Sequence, residues 1–224
     1  MDSSLHALST IQLFSDFDQG SLKEILDGSL TRSFPAEVIV LWEDEPSPGI
    51  HLVKSGWLKA IRSARTGREQ VLNIFGPGDS FSVISALSDV PNRVRVISLE
   101  EAVIQIIPRK LIFTLLDQHP ELSHKLIERL SKSLAHLISL VEDLSLESVE
   151  TRLAKFLISR SKDGTYHRKR WETQDTIAAQ IGTVPDVLSR ILRDFEKTGL
   201  IIVNRKQIKL LDMHTLSEKA TINT

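Results

Sequence analysis

The sequence predicts an α+β protein built from an N-terminal antiparallel β-roll or barrel of cupin-like type, a long dimerisation helix and a C-terminal winged helix-turn-helix. Three observations carry this reading: short β-rich runs between about residues 33 and 108, a heptad of apolar residues over 127–144, and two short helical patterns followed by a small hairpin over 171–212. The domain boundaries expected from these patterns are 1–118 for the barrel with flanking helices, 119–145 for the long helix and 146–224 for the winged helix-turn-helix.

Residues 5–30 read as short helices, with Leu22, Ile25 and Leu26 at helical spacing and Gly28 as a stop. The grammar then changes. Runs such as Val38–Leu41, Ile50–Val53, Trp57–Ile61, Val71–Phe75, Val94–Ile97 and Val103–Ile107 alternate with Pro- and Gly-rich turns such as Pro46-Ser47-Pro48-Gly49 and Gly76-Pro77-Gly78-Asp79. Short strands at spacings near 10–12 residues describe an antiparallel barrel.

Pro120 and Glu121 suit the first turn of the long helix. Ile127, Leu130, Leu134, Leu137, Val141 and Leu144 then recur at intervals of 3, 4, 3, 4 and 3. A helix packed only on its own barrel wants a wider apolar stripe, so this narrow seam predicts a two-stranded coiled coil and a homodimer. A new helix begins beyond a hinge near 144–148 and breaks at Asp163-Gly164-Thr165.

In the C-terminal stretch Thr173 is placed to cap a helix with Ile177, Ala178 and Ile181 inside, and Gly182 is placed to turn it. Thr183 is expected to cap the next helix, with Asp186 as its partner and Pro185 in the first turn. On that helix Leu188, Ile191, Leu192 and Phe195 form a buried stripe, and Asp186, Ser189, Arg190 and Arg193 form the opposite face. Such a face can enter a major groove. The base-reading residues expected are Pro185, Asp186, Ser189 and Arg190. Thr173, Gln174, Thr183, Arg193, Arg205 and Lys206 are expected on the DNA backbone, the last two from the turn of a β-hairpin wing.

Composition sets the exclusions. Net charge is -1, yet residues 1–144 carry 14 Lys and Arg against 19 Asp and Glu, whereas 145–224 carry 14 against 10. A basic half suits a phosphate-binding module. With no cysteine, disulfides, thiolate zinc sites and cysteine-held iron–sulfur clusters are excluded. No signal-peptide pattern, membrane-length apolar run, Gly-rich phosphate loop or nucleophile elbow is present. The reading is therefore a cytoplasmic protein, without membrane contact and not an enzyme, that binds double-stranded DNA.

Several segments resemble the CRP/FNR family of bacterial transcription regulators, the cyclic-AMP receptor and fumarate–nitrate reduction type. They are Leu13-Phe14-Ser15-Asp16-Phe17, Gly49–Lys59, Phe75–Phe81, the long helix, Gln174–Gly182 and Asp186–Leu192. The resemblance implies a barrel of cyclic-nucleotide-binding type that controls DNA affinity allosterically, and a contact with RNA polymerase. The FNR branch commonly carries Glu-x-x-Ser-Arg on its reading helix, here Asp186, Ser189 and Arg190. This implies a palindromic TTGA-type site, with the innermost base left open by the shorter acid. Pro185 stands where the cyclic-AMP branch has an arginine.

In the sensor, Ser82-Val83-Ile84 stands where nucleotide-binding members carry Gly-Glu-Leu, and no Arg-Ser pair follows in Pro91–Arg95. Cyclic AMP is therefore not expected. An effector pocket is expected around Trp57, Phe81, Val83, Ile84, Arg93 and Arg95, with Trp42 as a further candidate wall. Its occupant stays open between haem, through His6, His51, His119, His124 or His136, and a small organic or anionic molecule. The alternative function is a ligand-binding dimeric signalling or scaffold protein without sequence-specific DNA binding.

Overall fold

The computed structural model describes residues 8, 9, 11–88 and 90–221, and the chain divides into two compact units, 1–62 with 72–135 and 63–71 with 136–224. His6 lies outside the described residues.

In the first unit a short 3-10 turn, Gln12–Phe14, precedes helix α1, Gln19–Gly28. Asp18 caps α1, its carboxylate accepting from the N–H groups of Gly20 and Ser21 and falling below the usual carboxylate range chiefly through the Ser21 hydroxyl. Among the described residues eight strands follow: β1 Leu30–Phe34, β2 Ile39–Leu41, β3 Gly49–Ser55, β4 Leu58–Ser63, β5 Glu69–Phe75, β6 Ser80–Phe81, β7 Arg95–Ser98 and β8 Ala102–Pro108. They form two antiparallel sheets, ordered β1-β8-β3-β6 and β2-β7-β4-β5.

Inward residues from both sheets, among them Leu41, Val53, Leu58, Phe75, Phe81, Val96, Ile104 and Ile106, fill the barrel as one apolar cluster. Phe81 stacks between His51 and Phe75, with ring centroids 4.9 and 5.2 Å away. The outer face of β3 and β8 packs against helices: Ile50, Leu52 and Ile107 join Phe14, Phe17, Leu22 and Ile25. Helix α2, Val83–Ser88, helix α3, Arg109–Gln118, and the start of helix α4, Pro120–Leu146, complete this cluster through Val83, Leu115, Leu122 and Leu126.

The second unit contains the end of α4, then helix α5, Val149–Arg160, capped by Ser148. Strand β9, Thr165–His167, helix α6, Gln174–Gln180, helix α7, Pro185–Lys197, strands β10, Ile201–Val203, and β11, Gln207–Leu210, and helix α8, Met213–Ala220, follow. Leu153, Leu157, Tyr166, Ile177, Leu188, Ile191, Phe195, Ile208 and Leu216 pack into one buried core. Deleting an aromatic side chain as buried as Phe195 from such a core costs about 3–5 kcal/mol.

Candidate nucleic-acid interface and sensor barrel

Helices α6 and α7 meet across Gly182, whose φ of +68° favours glycine; a Cβ there would stand 2.2 Å from Leu144 Cδ2. Leu144, the last residue of the apolar heptad, is thus half-buried against the turn between the two helices. Thr173 caps α6, accepting from the Thr176 N–H. The expected cap at Thr183 is not formed: α7 begins at Pro185, its N-cap is Val184 and no side chain caps it. Proline at the first helical position moves the cap one residue later, and Thr183 is buried with its N–H donated to Ala178.

On α7, Leu188, Ile191, Leu192 and Phe195 are buried, whereas Asp186, Arg190 and Arg193 are exposed and Ser189 is half-buried. The Ser189 hydroxyl donates to the Gln174 side-chain oxygen at 2.9 Å, and Arg193 Nε donates to the Ser189 carbonyl at 3.2 Å. Asn204, Arg205 and Lys206 lie exposed in the turn between β10 and β11. Thr173, Gln174, Asp186, Ser189, Arg190 and Arg193 are therefore displayed by the two helices, while Thr183 lies beneath them.

Arg152 is a residue that sequence reasoning missed. Its guanidinium donates to the carbonyls of Ile181 at 2.7 Å, Gly182 at 3.4 Å, Asp143 at 3.3 Å and Glu147 at 2.6 Å. One side chain thereby joins the end of α4 to the α6–α7 turn. Desolvation lowers its pKa from the usual arginine value, opposed by Glu147 and Asp143. In the sequence it reads as one more charge on an amphipathic helix.

Along α4, Leu122 and Leu126 are buried and Leu130 packs partly against the same cluster. Ile127, Leu134, Leu137 and Val141 point outward, with Leu134 60% and Val141 62% exposed. Ile138 adds to this unpartnered apolar face.

The residues expected around an effector are dispersed. Trp57 lies against Gly76, Phe81 sits in the barrel core, Val83 joins the helix-facing core, and Ile84, Arg93 and Trp42 are exposed. Arg95 is half-buried on β7. The nucleotide site of the family does not fit this chain. Val83 is buried among apolar groups where a carboxylate is needed, and the Ser82 hydroxyl, at a residue with φ +62°, donates to buried Asn92 at 2.9 Å. A cavity of about 230 Å³ lies elsewhere in the first unit, lined by Leu8, Ile11, Val53, Lys54, Pro77, Gly78 and Gln105.

His51 is 1% exposed, and burial lowers its pKa to about 4, against the opposing bond to the Gly49 carbonyl and with Arg32 as a smaller cause in the same direction. Its Nδ1 lies 3.1 Å from that carbonyl and its ring is stacked on Phe81, so the packed barrel leaves no haem face there. His119 bonds Ser21 and Glu121 and stacks on Phe17, while His124 and His136 are exposed.

A winged helix-turn-helix whose second helix turns a polar face outward is the architecture of a DNA-binding module. Residues 31–119 match the family model of the cyclic nucleotide-binding domain, and 151–219 match that of the Crp-like helix-turn-helix domain. A CRP-like cAMP-activated global transcriptional regulator of Mycobacterium tuberculosis is 27% identical over 193 residues, 84% of this chain and 86% of the relative. An anaerobic regulatory protein of Haemophilus influenzae is 26% identical over 182 residues, 78% of this chain and 70% of the relative. Among solved structures, FixK2 of Bradyrhizobium japonicum gives a TM-score of 0.75 at 18% identity, over 88% of this chain and 99% of that one. CooA of Carboxydothermus hydrogenoformans, as a double mutant, gives 0.75 at 21%, over 99% and 97%. The chain belongs to the CRP/FNR family: it is a transcription regulator and not an enzyme. No helix among the described residues is long and apolar enough to cross a membrane.

Proposed function

We propose that this regulator works in the cytoplasm as a homodimer that reads a palindromic TTGA-type DNA site, with each α7 laid in one major groove. The observation that carries the reading is the outward face of α7, where Asp186, Ser189 and Arg190 stand opposite a fully buried apolar stripe. Arg190 donates to a guanine edge, and the wing residues Arg205 and Lys206 hold phosphate. The unpartnered α4 face through Ile127, Leu134, Leu137 and Val141 supplies the dimer seam, with Leu130 at its inner edge and Leu144 at its end.

The barrel responds to an effector other than cyclic AMP, because Val83 offers no group for a ribose hydroxyl and Asn92 is engaged with Ser82. Effector binding biases the packing of the two long helices, and so the DNA affinity. Contact with RNA polymerase completes the activity.

A two-fold dimer requires half-sites about 34 Å apart, one helical turn. Fluorescence titration with a palindrome of that spacing, and with one lengthened by half a turn, tests the reading. At least tenfold preference for the in-phase duplex is expected, and equal affinity for both contradicts it.

A further inference from the structure

We propose that the basic run His167-Arg168-Lys169-Arg170 continues the wing as a phosphate-binding track on duplex DNA, with Arg170 as its outermost contact. The proposal rests on the DNA-reading function above and adds a surface to it.

The wing sheet has three strands in the order β10-β11-β9, with His167 opposite Gln207 in the β9–β11 register. Beyond that pair the Arg168 N–H donates to the Lys206 carbonyl at 2.9 Å. The basic run therefore leaves the sheet at the same end as the Asn204-Arg205-Lys206 turn. It then leads within three residues to Thr173, the cap of α6.

The charges sort by direction along this path. Glu172, the acid two residues beyond the run, is turned inward: its side chain is 1% exposed, and Oε1 lies 3.1 Å from Arg160 Nη1. Its Oε2 accepts the Lys169 N–H at 2.7 Å. Its charge is thus taken up inside the unit, while Arg170, Arg205 and Lys206 face solvent without an ion pair among the described residues. Arg168 Nε and Nη2 are buried with no hydrogen-bond acceptor among the described residues. Lys169 Nζ sits over the Trp171 ring, 5.5 Å from its centroid, which steadies the turn. Exposed Asp175, in the first turn of α6, bounds the surface on the helix side.

The exposed cations Arg170, Arg205 and Lys206, which join the wing turn to the start of the helix-turn-helix, have the chemistry of a polyanion track. Duplex DNA is the polyanion that this unit already faces.

Anisotropy titrations of a TTGA-type palindrome and a scrambled duplex at several salt concentrations test this. Arg170→Ala is expected to weaken both duplexes by the same factor, about three- to tenfold, and to make the log–log salt slope shallower by about 2 per dimer, one phosphate per subunit. Arg170→Lys should keep the wild-type slope, and the melting temperature of both variants should match wild type, because Arg170 is exposed. An unchanged slope with Arg170→Ala, or an altered ratio between the two duplexes, overturns the proposal. A wild type that binds neither duplex overturns the DNA-reading function itself, a distinct failure.

Discussion

The Ser189 hydroxyl donates to the Gln174 side-chain oxygen at 2.9 Å, so the outer face of α7 is tied to the start of α6 in the free protein. On the proposed reading, bound DNA exchanges this bond for contacts of its own. Because the pair shares the burden, Gln174→Ala should weaken palindromic and scrambled duplexes alike, by no more than about 1 kcal/mol. Ser189→Ala should lower affinity for the palindrome more than for the scrambled duplex. Titration of both variants on both duplexes checks this; loss of sequence preference in Gln174→Ala would reverse the two roles.

The dimer prediction follows from α4. Leu137→Glu with Val141→Glu places four carboxylates in one two-fold seam, where unpaired buried charge is strongly destabilising. Sedimentation equilibrium should report a monomer for the double variant and a dimer for wild type. A dimer mass for both would remove α4 as the seam.

Arg152 should matter to the stability of the second unit. Arg152→Ala removes the guanidinium that donates to the Ile181 and Glu147 carbonyls, and a hydrogen bond to a charged group contributes about 1.5–3 kcal/mol net. A loss of about 2 kcal/mol, read as a drop of several degrees in thermal midpoint by circular dichroism, is expected. An unchanged midpoint would show that water replaces the guanidinium without cost.

His51 gives a pH dependence with a defined sign. Its folded pKa, about 4, lies below the usual value of 6.5, because burial penalises the charged ring. The unfolded chain therefore binds the proton more readily. The stability is complete above pH 6.5 and is lost as pH falls towards 4, by about 3 kcal/mol in all. Denaturant melts of wild type and His51→Gln at pH 7 and pH 4.5 compare the two. The variant should show the smaller drop; equal drops would place the acid sensitivity elsewhere.

The long helix, the buried stripe of α7 and the wing hairpin were legible because each depends on a local period that the residues carry themselves. Strand β1 was not, because Leu30, Thr31, Arg32 and Ser33 are all exposed and only pairing with Val103–Ile106 defines the strand. Strand β9 spans three residues and acquires its meaning from its pairing with β11, which no local period in the sequence announces. The cap at Thr183 failed on a different ground: Pro185 takes the first helical position, and that displaces the cap to Val184. For the effector, residues chosen by resemblance to a nucleotide pocket separate into two cores and the surface. Packing of β3 and β8 on both faces makes that division, and no local spacing announces it.

Arg190 is expected to read sequence while the wing residues Arg205 and Lys206 hold phosphate. A bidentate guanidinium–guanine contact contributes about 1–3 kcal/mol of discrimination, whereas a phosphate contact contributes salt dependence alone. The measurement is the affinity ratio between a TTGA-type palindrome and a scrambled duplex, for Arg190→Ala and for Arg205→Ala with Lys206→Ala, at several salt concentrations. Arg190→Ala is expected to flatten the ratio, and the wing variant to keep it while both affinities fall and the salt slope becomes shallower. Full sequence preference in Arg190→Ala, with its loss in the wing variant, would contradict that expectation.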